Sequence, residues 1–364
     1  MEALLPKGSI SILQAFMLLI MAIGLDNHVT IIPLLLHTAN KDSWISVILV
    51  LPFCLLWTLI PYWIAKKTRQ TNILKWLRTH THPALALLLI LPFLFFFLMN
   101  AFVTFKEVIL WTKVSFLPET PILATALSLL ALCVYSAFKG IRSIAICAGI
   151  LLPFVWVLGY FVMTANIEFK RYTLLFPLFT NSFSSIAACM MYAASSFIEV
   201  FVLVLLQHHI RSKFKWYHIM ILVLIISGLT IGPLTGAIAT FGYKSDQIRY
   251  PAFEQWRLVR IGDYFSHVDF LSIYQWLSGA FIRISLMLYL VADLISKSNR
   301  SRQYSIAISA GILLLLAIMP IISDMLYLRI VKWYYICAFA IILFSSFWLL
   351  FTVLWIPSKK RAGA

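Results

Sequence analysis

Residues 11–36 read SILQAFMLLIMAIGLDNHVTIIPLLL. The run exceeds the roughly 20 apolar residues that cross a bilayer's hydrocarbon core, yet Gly24, Asp26, Asn27 and His28 interrupt it near its middle, with Pro33 beyond. A secretory signal would have a shorter apolar core and a small-residue cleavage site. Neither is evident, so the run is expected to stay in place as a first membrane span, broken at its centre.

The rest of the chain repeats this pattern. Of 364 residues, 62% are hydrophobic and only 12% charged, with a mean hydropathy of +0.94. Soluble domains have about 25% charged residues, so water is not the main solvent. Hydropathy places spans near 11–36, 43–64, 84–110, 121–138, 143–164, 183–206, 217–241, 269–292, 304–323 and 333–356. The expectation is an all-α transmembrane protein of about ten spans, one integral membrane domain from 1 to 364, with 242–268 its longest connector.

Loop charge sets the orientation. Lys7, Lys66, Lys67, Arg69, Lys75, Arg78, Lys139, Arg142, Arg211, Lys213, Lys215, Lys297, Arg300, Arg302, Lys359, Lys360 and Arg361 share the side of the N-terminus. That is seventeen, against eleven on the other side, where most of the acids also lie; Glu2 and Asp293 alone accompany the seventeen. Both termini are therefore expected in the cytoplasm. The net charge of +16 reads as loop charge facing anionic lipid headgroups. No soluble module carries a basic patch, so nucleic acid is not an expected partner.

Polar interruptions of apolar spans mark candidate sites. The sixth span has Tyr192, Ser195, Ser196 and Phe197 near its middle and Glu199 a turn later. Spans one and six correspond if the chain is two halves of five, about 9–165 and 177–356, and paired breaks at such positions point to a binding site. In the third span Asn100, Thr104, Glu107 and Trp111 share a face; in the eighth, Ser272, Gln275, Trp276, Gly279 and Arg283 do. A Gly or Ser in a membrane helix also serves simply as a close-packing contact. Asp26, Glu199 and Arg283 are different, since a charge at that depth needs a partner. Glu199 and Asp26 both qualify by depth as the partner of Arg283, and a structural ion pair of Glu199 with Arg283 is the first expectation.

Signals for chemistry are poor. His37 and Asp42 have a His-x4-Asp spacing, and His80 and His82 flank a threonine, but neither has the base, orienter and oxyanion donors that catalysis requires. No phosphate-binding glycine loop is present. All five cysteines fall in apolar runs, which argues against disulfides or a zinc site. No enzymatic role, catalytic residue, cofactor or metal is expected.

The segment Tyr250–Leu290, YPAFEQWRLVRIGDYFSHVDFLSIYQWLSGAFIRISLMLYL, resembles the corresponding stretch of endospore germination permeases. ISILQAFMLLIMAIG from Ile10, FKEVILWTKVSFLPETPI from Phe105 and the span around Glu199 are similar to the same family. Its members are the B subunits of GerA-type nutrient germinant receptors, within the amino acid–polyamine–organocation superfamily. The resemblance implies a LeuT-like 5+5 inverted repeat, with helices 1 and 6 broken and a ligand site walled by spans one, three, six and eight. It also implies the spore inner membrane, an A subunit and a C-subunit lipoprotein as partners, and a small nutrient, an amino acid before a sugar, as ligand. The expected ligand-binding residues are Gly24, Asp26, Asn27, His28, Asn100, Thr104, Tyr192, Ser195, Ser196, Phe197, Glu199, Gln275 and Gly279. Phe197 stands where the family pattern leads one to expect a glycine, a bulk that would reshape the pocket. A proton- or sodium-coupled amino acid transporter is the alternative.

The orientation has a direct test. In a cysteine-free background, a single cysteine replacing Lys244 should react with an impermeant reagent added from outside, and one replacing Lys67 should not. The opposite pattern would invert the topology.

Overall fold

The computed structural model describes residues 9–260, 267–296, 298–319 and 322–356. Lys7, Lys297, Lys359, Lys360 and Arg361 from the charge count, and 261–266 of the long connector, lie outside the described residues. The described chain runs α1 (Ile12–Leu25), a π-helical turn (Asp26–Thr30) and α2 (Ile31–Ala39), then α3 (Ser43–Trp57) and α4 (Leu59–Lys67). α5 (Ile73–His80), α6 (Pro83–Ser115), α7 (Ile122–Lys139) and α8 (Ile141–Ala165) follow. Next come α9 (Phe183–Phe197), a 3₁₀ turn (Ile198–Phe201), α10 (Val202–Leu206), α11 (Trp216–Phe241) and α12 (Pro251–Arg257). α13 (Leu271–Ile295), α14 (Asn299–Ile318) and α15 (Asp324–Trp355) complete it.

Among the described residues nine helical stretches are long and apolar enough to cross a membrane. The first, Ile12–Lys67, has 56 residues and would measure roughly 84 Å if straight, far more than the ~30 Å hydrocarbon core. It turns at Asn40, whose φ of 42° lies in the left-handed region, and α2 and α3 both pack on α9. Counted as two crossings, it brings the spans to ten. The protein is an all-α integral membrane protein, and its exposed large side chains, among them Phe53, Leu132, Val157 and Phe351, are apolar because lipid is their solvent.

The helix ends follow local chemistry. Ser11 caps α1 through a capping box with Gln14, Asn72 caps α5, and Ser182 caps α9, each satisfying an orphan backbone N–H. Gly140, at φ 94°, joins α7 to α8 as a one-residue connector that only glycine adopts easily. The largest departure from the hydropathy boundaries is the last span, which begins at Asp324. Its early charges, Asp324, Arg329 and Lys332, look like loop in a hydropathy window. At 32 residues the helix is roughly 48 Å long and projects beyond the apolar core, where charges are tolerated.

The connectors sort onto two faces, as alternating crossings demand. On one, Ile10 N–H donates to the His209 carbonyl (2.8 Å) and Arg211 N–H to the Ile10 carbonyl (3.0 Å), while Gln207 Nε2 donates to the Thr71 carbonyl at 2.8 Å. On the other, Asp42 Oδ2 accepts from the backbone N–H groups of Thr180 (2.7 Å) and Asn181 (2.8 Å), and Arg249 Nη1 reaches Asp324 at 3.3 Å. Asp42 of the His-x4-Asp pair is thus a loop clasp, and His37 is exposed. The cysteines are free thiols.

Close helix packing in the core rests on small residues. A Cβ built on Gly279 of α13 would come within 2.9 Å of Leu25 Cβ, whereas one on Gly311 meets nothing within 4 Å. Leu25 Cβ moves only with its backbone, so Gly279→Ala should cost about 1–3 kcal/mol. It should lower the thermal midpoint of the detergent-solubilised protein, and Gly311→Ala should leave that midpoint unchanged.

Candidate functional site

The two central interruptions are changes of winding and not unwound segments. In the first span the Ile31 N–H bonds the Asp26 carbonyl, an i→i+5 pattern that widens the helix for one turn; such π-turns recur at functional sites. In the sixth the helix tightens to 3₁₀ over Ile198–Phe201. The two changes carry Asp26 and Glu199, and both carboxylates face α13.

There they meet Arg283, which is 1% exposed. Its Nη2 donates to Glu199 Oε2 at 3.0 Å and lies 3.6 Å from Asp26 Oδ1. Nε donates to Thr104 Oγ1 (3.1 Å) and Nη1 to the Ala22 carbonyl (2.7 Å). The carboxylates have further donors. Asn100 Nδ2 donates to Glu199 Oε1 at 3.0 Å and to the Tyr334 hydroxyl at 2.9 Å. Ser196 Oγ (3.1 Å) and the Tyr335 hydroxyl (2.7 Å) donate to Asp26. Spans one, three, six, eight and ten are thus joined by one buried polar network, in which two carboxylates face a single guanidinium.

Beside it lies a cavity of about 440 Å³, between α1, α8, α11, α12 and α13. Its wall is mostly apolar, with His28, Lys170, Gln255, Ser272 and Gln275 as polar points. Lys170, Ala252 and Gln255 reach it from the connectors on the Asp42 face, so the cavity lies toward that face. Trp276 and Phe253 line it too. Trp276 stacks on Trp111 with ring centroids 4.0 Å apart, and Phe253 meets Trp111 edge-on at 5.4 Å. Trp256 Nε1 donates to Gln275 Oε1 at 3.0 Å, and Gln275 Nε2 to the Val155 carbonyl at 2.9 Å, which fixes that amide in the wall.

The sequence candidates therefore divide. Gly24, His28, Gln275 and Gly279 line the cavity. Asp26, Asn100, Thr104, Ser196 and Glu199 belong to the polar network. Asn27 bonds within its own helix, to the Ile23 carbonyl at 2.9 Å, and accepts from Thr230 Oγ1 at 2.8 Å. Ser195 Oγ donates to the Tyr192 carbonyl at 2.6 Å, and Tyr192 and Phe197 are buried in the packed core. Residues that sequence did not suggest include Trp156, Gly159, Gly228 and Gly232 of the cavity wall. The one available signal was the Gly228, Gly232, Gly236 stripe in the seventh span, which reads as ordinary helix packing.

Membrane-crossing helices, of which α1, α8, α11 and α13 wall a partly open cavity, with a buried charge cluster beside it, define a polytopic integral membrane protein with a candidate intramembrane site. Residues 9–326 match the family model described as spore germination protein, the spore permeases. The chain is also 37% identical over 361 residues, 97% of its own length and 100% of the relative's, to spore germination protein XB of Bacillus anthracis. It belongs to the spore germination permease family, which is a family of germination membrane proteins and not a known class of enzyme.

Breaking the network has an asymmetric cost. Arg283→Met strands two buried carboxylates, and stranding one partner of a buried pair costs about 3–5 kcal/mol. Glu199→Gln leaves Asp26 to face Arg283 and should be the milder change. Membrane abundance and thermal midpoint should fall in that order, and the double substitution should recover part of the Arg283→Met loss. Strictly additive losses would show that the two side chains do not interact.

Proposed function

We propose that this chain is the ligand-binding membrane subunit of a spore nutrient germinant receptor, and that the nutrient occupies the 440 Å³ cavity. The observation that carries this reading is the double role of the π-turn and its flanks. Gly24, Leu25, His28 and Val29 face the cavity, while Asp26 between them faces Arg283. On α13, Gly279 faces the cavity and Arg283, one turn on, faces the network. A ligand against this wall acts on the charge cluster through a single helical turn.

The size falls within the ~300–1,000 Å³ of small-molecule sites. A mostly apolar wall with a few polar points suits an amino acid with an apolar side chain better than a sugar, whose hydroxyls would each need a partner. A ligand that binds one arrangement of the π-turn better than another shifts the population toward it. Arg283 is a fixed internal cation that already engages both buried carboxylates, the groups a coupling cation would need. That favours a receptor over a proton- or sodium-driven transporter. The wider reading includes two repeats, about 9–165 and 177–356, both termini in the cytoplasm, and residence in the spore inner membrane. An A subunit and a C-subunit lipoprotein would relay the signal.

Gly228 and Gly232 face the cavity with nothing within 4 Å of a built Cβ. Gly228→Leu should direct its side chain into the cavity, its Cβ meeting no neighbour. In spores carrying this receptor, the nutrient dose–response should then shift by about tenfold or more to higher concentration, with protein level unchanged. An unaltered response would place the ligand elsewhere. Accumulation of labelled nutrient in proteoliposomes under an ion gradient would favour the transporter.

A further inference from the structure

Far from the cavity, on the face that carries the N-terminus, span six ends in a 3₁₀ turn, Gln207–His209. His208 Nε2 lies 3.2 Å and His209 Nε2 3.4 Å from the same oxygen, Asp293 Oδ2, near the end of α13. All three donor atoms fall within 4.8 Å of one another. Bonds of 2.0–2.1 Å in a tetrahedral zinc site place neighbouring ligand atoms about 3.3 Å apart, which matches both measured separations.

Each of the two ring nitrogens also meets a neighbouring donor group. Asn72 Oδ1 accepts from Lys75 N–H at 3.0 Å, which orients its amide so that Nδ2 faces His208 Nε2 at 3.2 Å. An amide N–H pointed at a ring nitrogen requires that nitrogen to accept. Tyr289 supports His209 in the same way. Its hydroxyl accepts from Arg302 Nη1 at 3.4 Å and lies 3.1 Å from His209 Nε2, where its own proton can be donated. Both contacts keep the ring protons on Nδ1, and an ion would take the two Nε2 lone pairs by displacing them, so that two imidazoles and a carboxylate oxygen converge on it. The three side chains are 15–18% exposed, so an ion can reach them.

We propose that His208, His209 and Asp293 form a divalent transition-metal site of the zinc class, with a fourth position for water. Two imidazoles and one carboxylate suit zinc and its neighbours better than magnesium or calcium, which prefer all-oxygen shells. The ion would tie the end of span six to the end of span eight, the two spans that carry Glu199 and Arg283. It would also hold the backbone bridge that His209 makes with Ile10.

The test uses full-length protein without a polyhistidine tag, purified in detergent and stripped with chelator. Titration with Co²⁺ should produce the visible absorption band of four-coordinate cobalt, saturating at a single equivalent and displaced by Zn²⁺, and Zn²⁺ should raise the thermal midpoint. Asp293→Asn and His209→Ala should each abolish the band. Tyr289→Phe removes a donor that competes for the His209 Nε2 lone pair, so it should keep the band and bind Co²⁺ at least as tightly as wild type. If the ligand variants fail to fold, the wild-type titration decides. No saturable band in wild type means that the cluster is only an ion pair between protonated histidine and aspartate, and overturns the proposal. A band that survives in well-folded His209→Ala and Asp293→Asn overturns it equally.

Discussion

Arg283 cannot shed its charge by deprotonation, and it lies 1% exposed at the centre of the helix bundle. Much of the core is arranged around that constraint. The π-turn of the first span and the 3₁₀ turn of the sixth present Asp26 and Glu199 to the guanidinium. The third span adds Thr104 and Asn100, and in the last span Tyr334 accepts from Asn100 and Tyr335 donates to Asp26. Each helix contributes a group whose desolvation the others offset. The network therefore specifies which spans are neighbours in a way that apolar side chains, equally content against lipid, cannot.

The same network separates two tasks within a few residues. Gly24, Leu25, His28 and Val29 face the cavity and Asp26 the charge cluster, because successive residues of a helix point in different directions around its axis. The aromatic group of Trp111, Trp276 and Phe253 packs at the cavity's edge. Deep apolar packing elsewhere, as where Gly279 meets Leu25, leaves little room for gradual deformation. A change at the π-turn is therefore passed on as a rearrangement of discrete contacts.

Hydropathy made the spans legible because bilayer thickness dictates helix length. It departed furthest where α15 leaves the hydrocarbon and takes up Arg329 and Lys332. Depth in the membrane identified Asp26, Glu199 and Arg283 as groups in need of partners, since charge is costly there whatever the fold. The cavity was illegible for the converse reason. Leu152, Val155, Gly228 and Leu229 look like packing residues, and only tertiary structure shows that no side chain fills the space between them. The pattern of breaks also could not distinguish an unwound helix from a π-turn, because both place small and polar residues mid-span. His208 and His209 drew no notice, for their partner Asp293 is distant in sequence.

The central claim is that occupancy of the cavity is felt at the charge cluster. Hydrogen–deuterium exchange of the protein in nanodiscs, with and without a molecule that binds it, tests it most directly. The account predicts that ligand alters exchange in segment 24–31 and also in 195–201 and around Tyr334, which touch the network and not the cavity. Changes confined to the cavity walls of α8 and α11, with 195–201 unaffected, would contradict it.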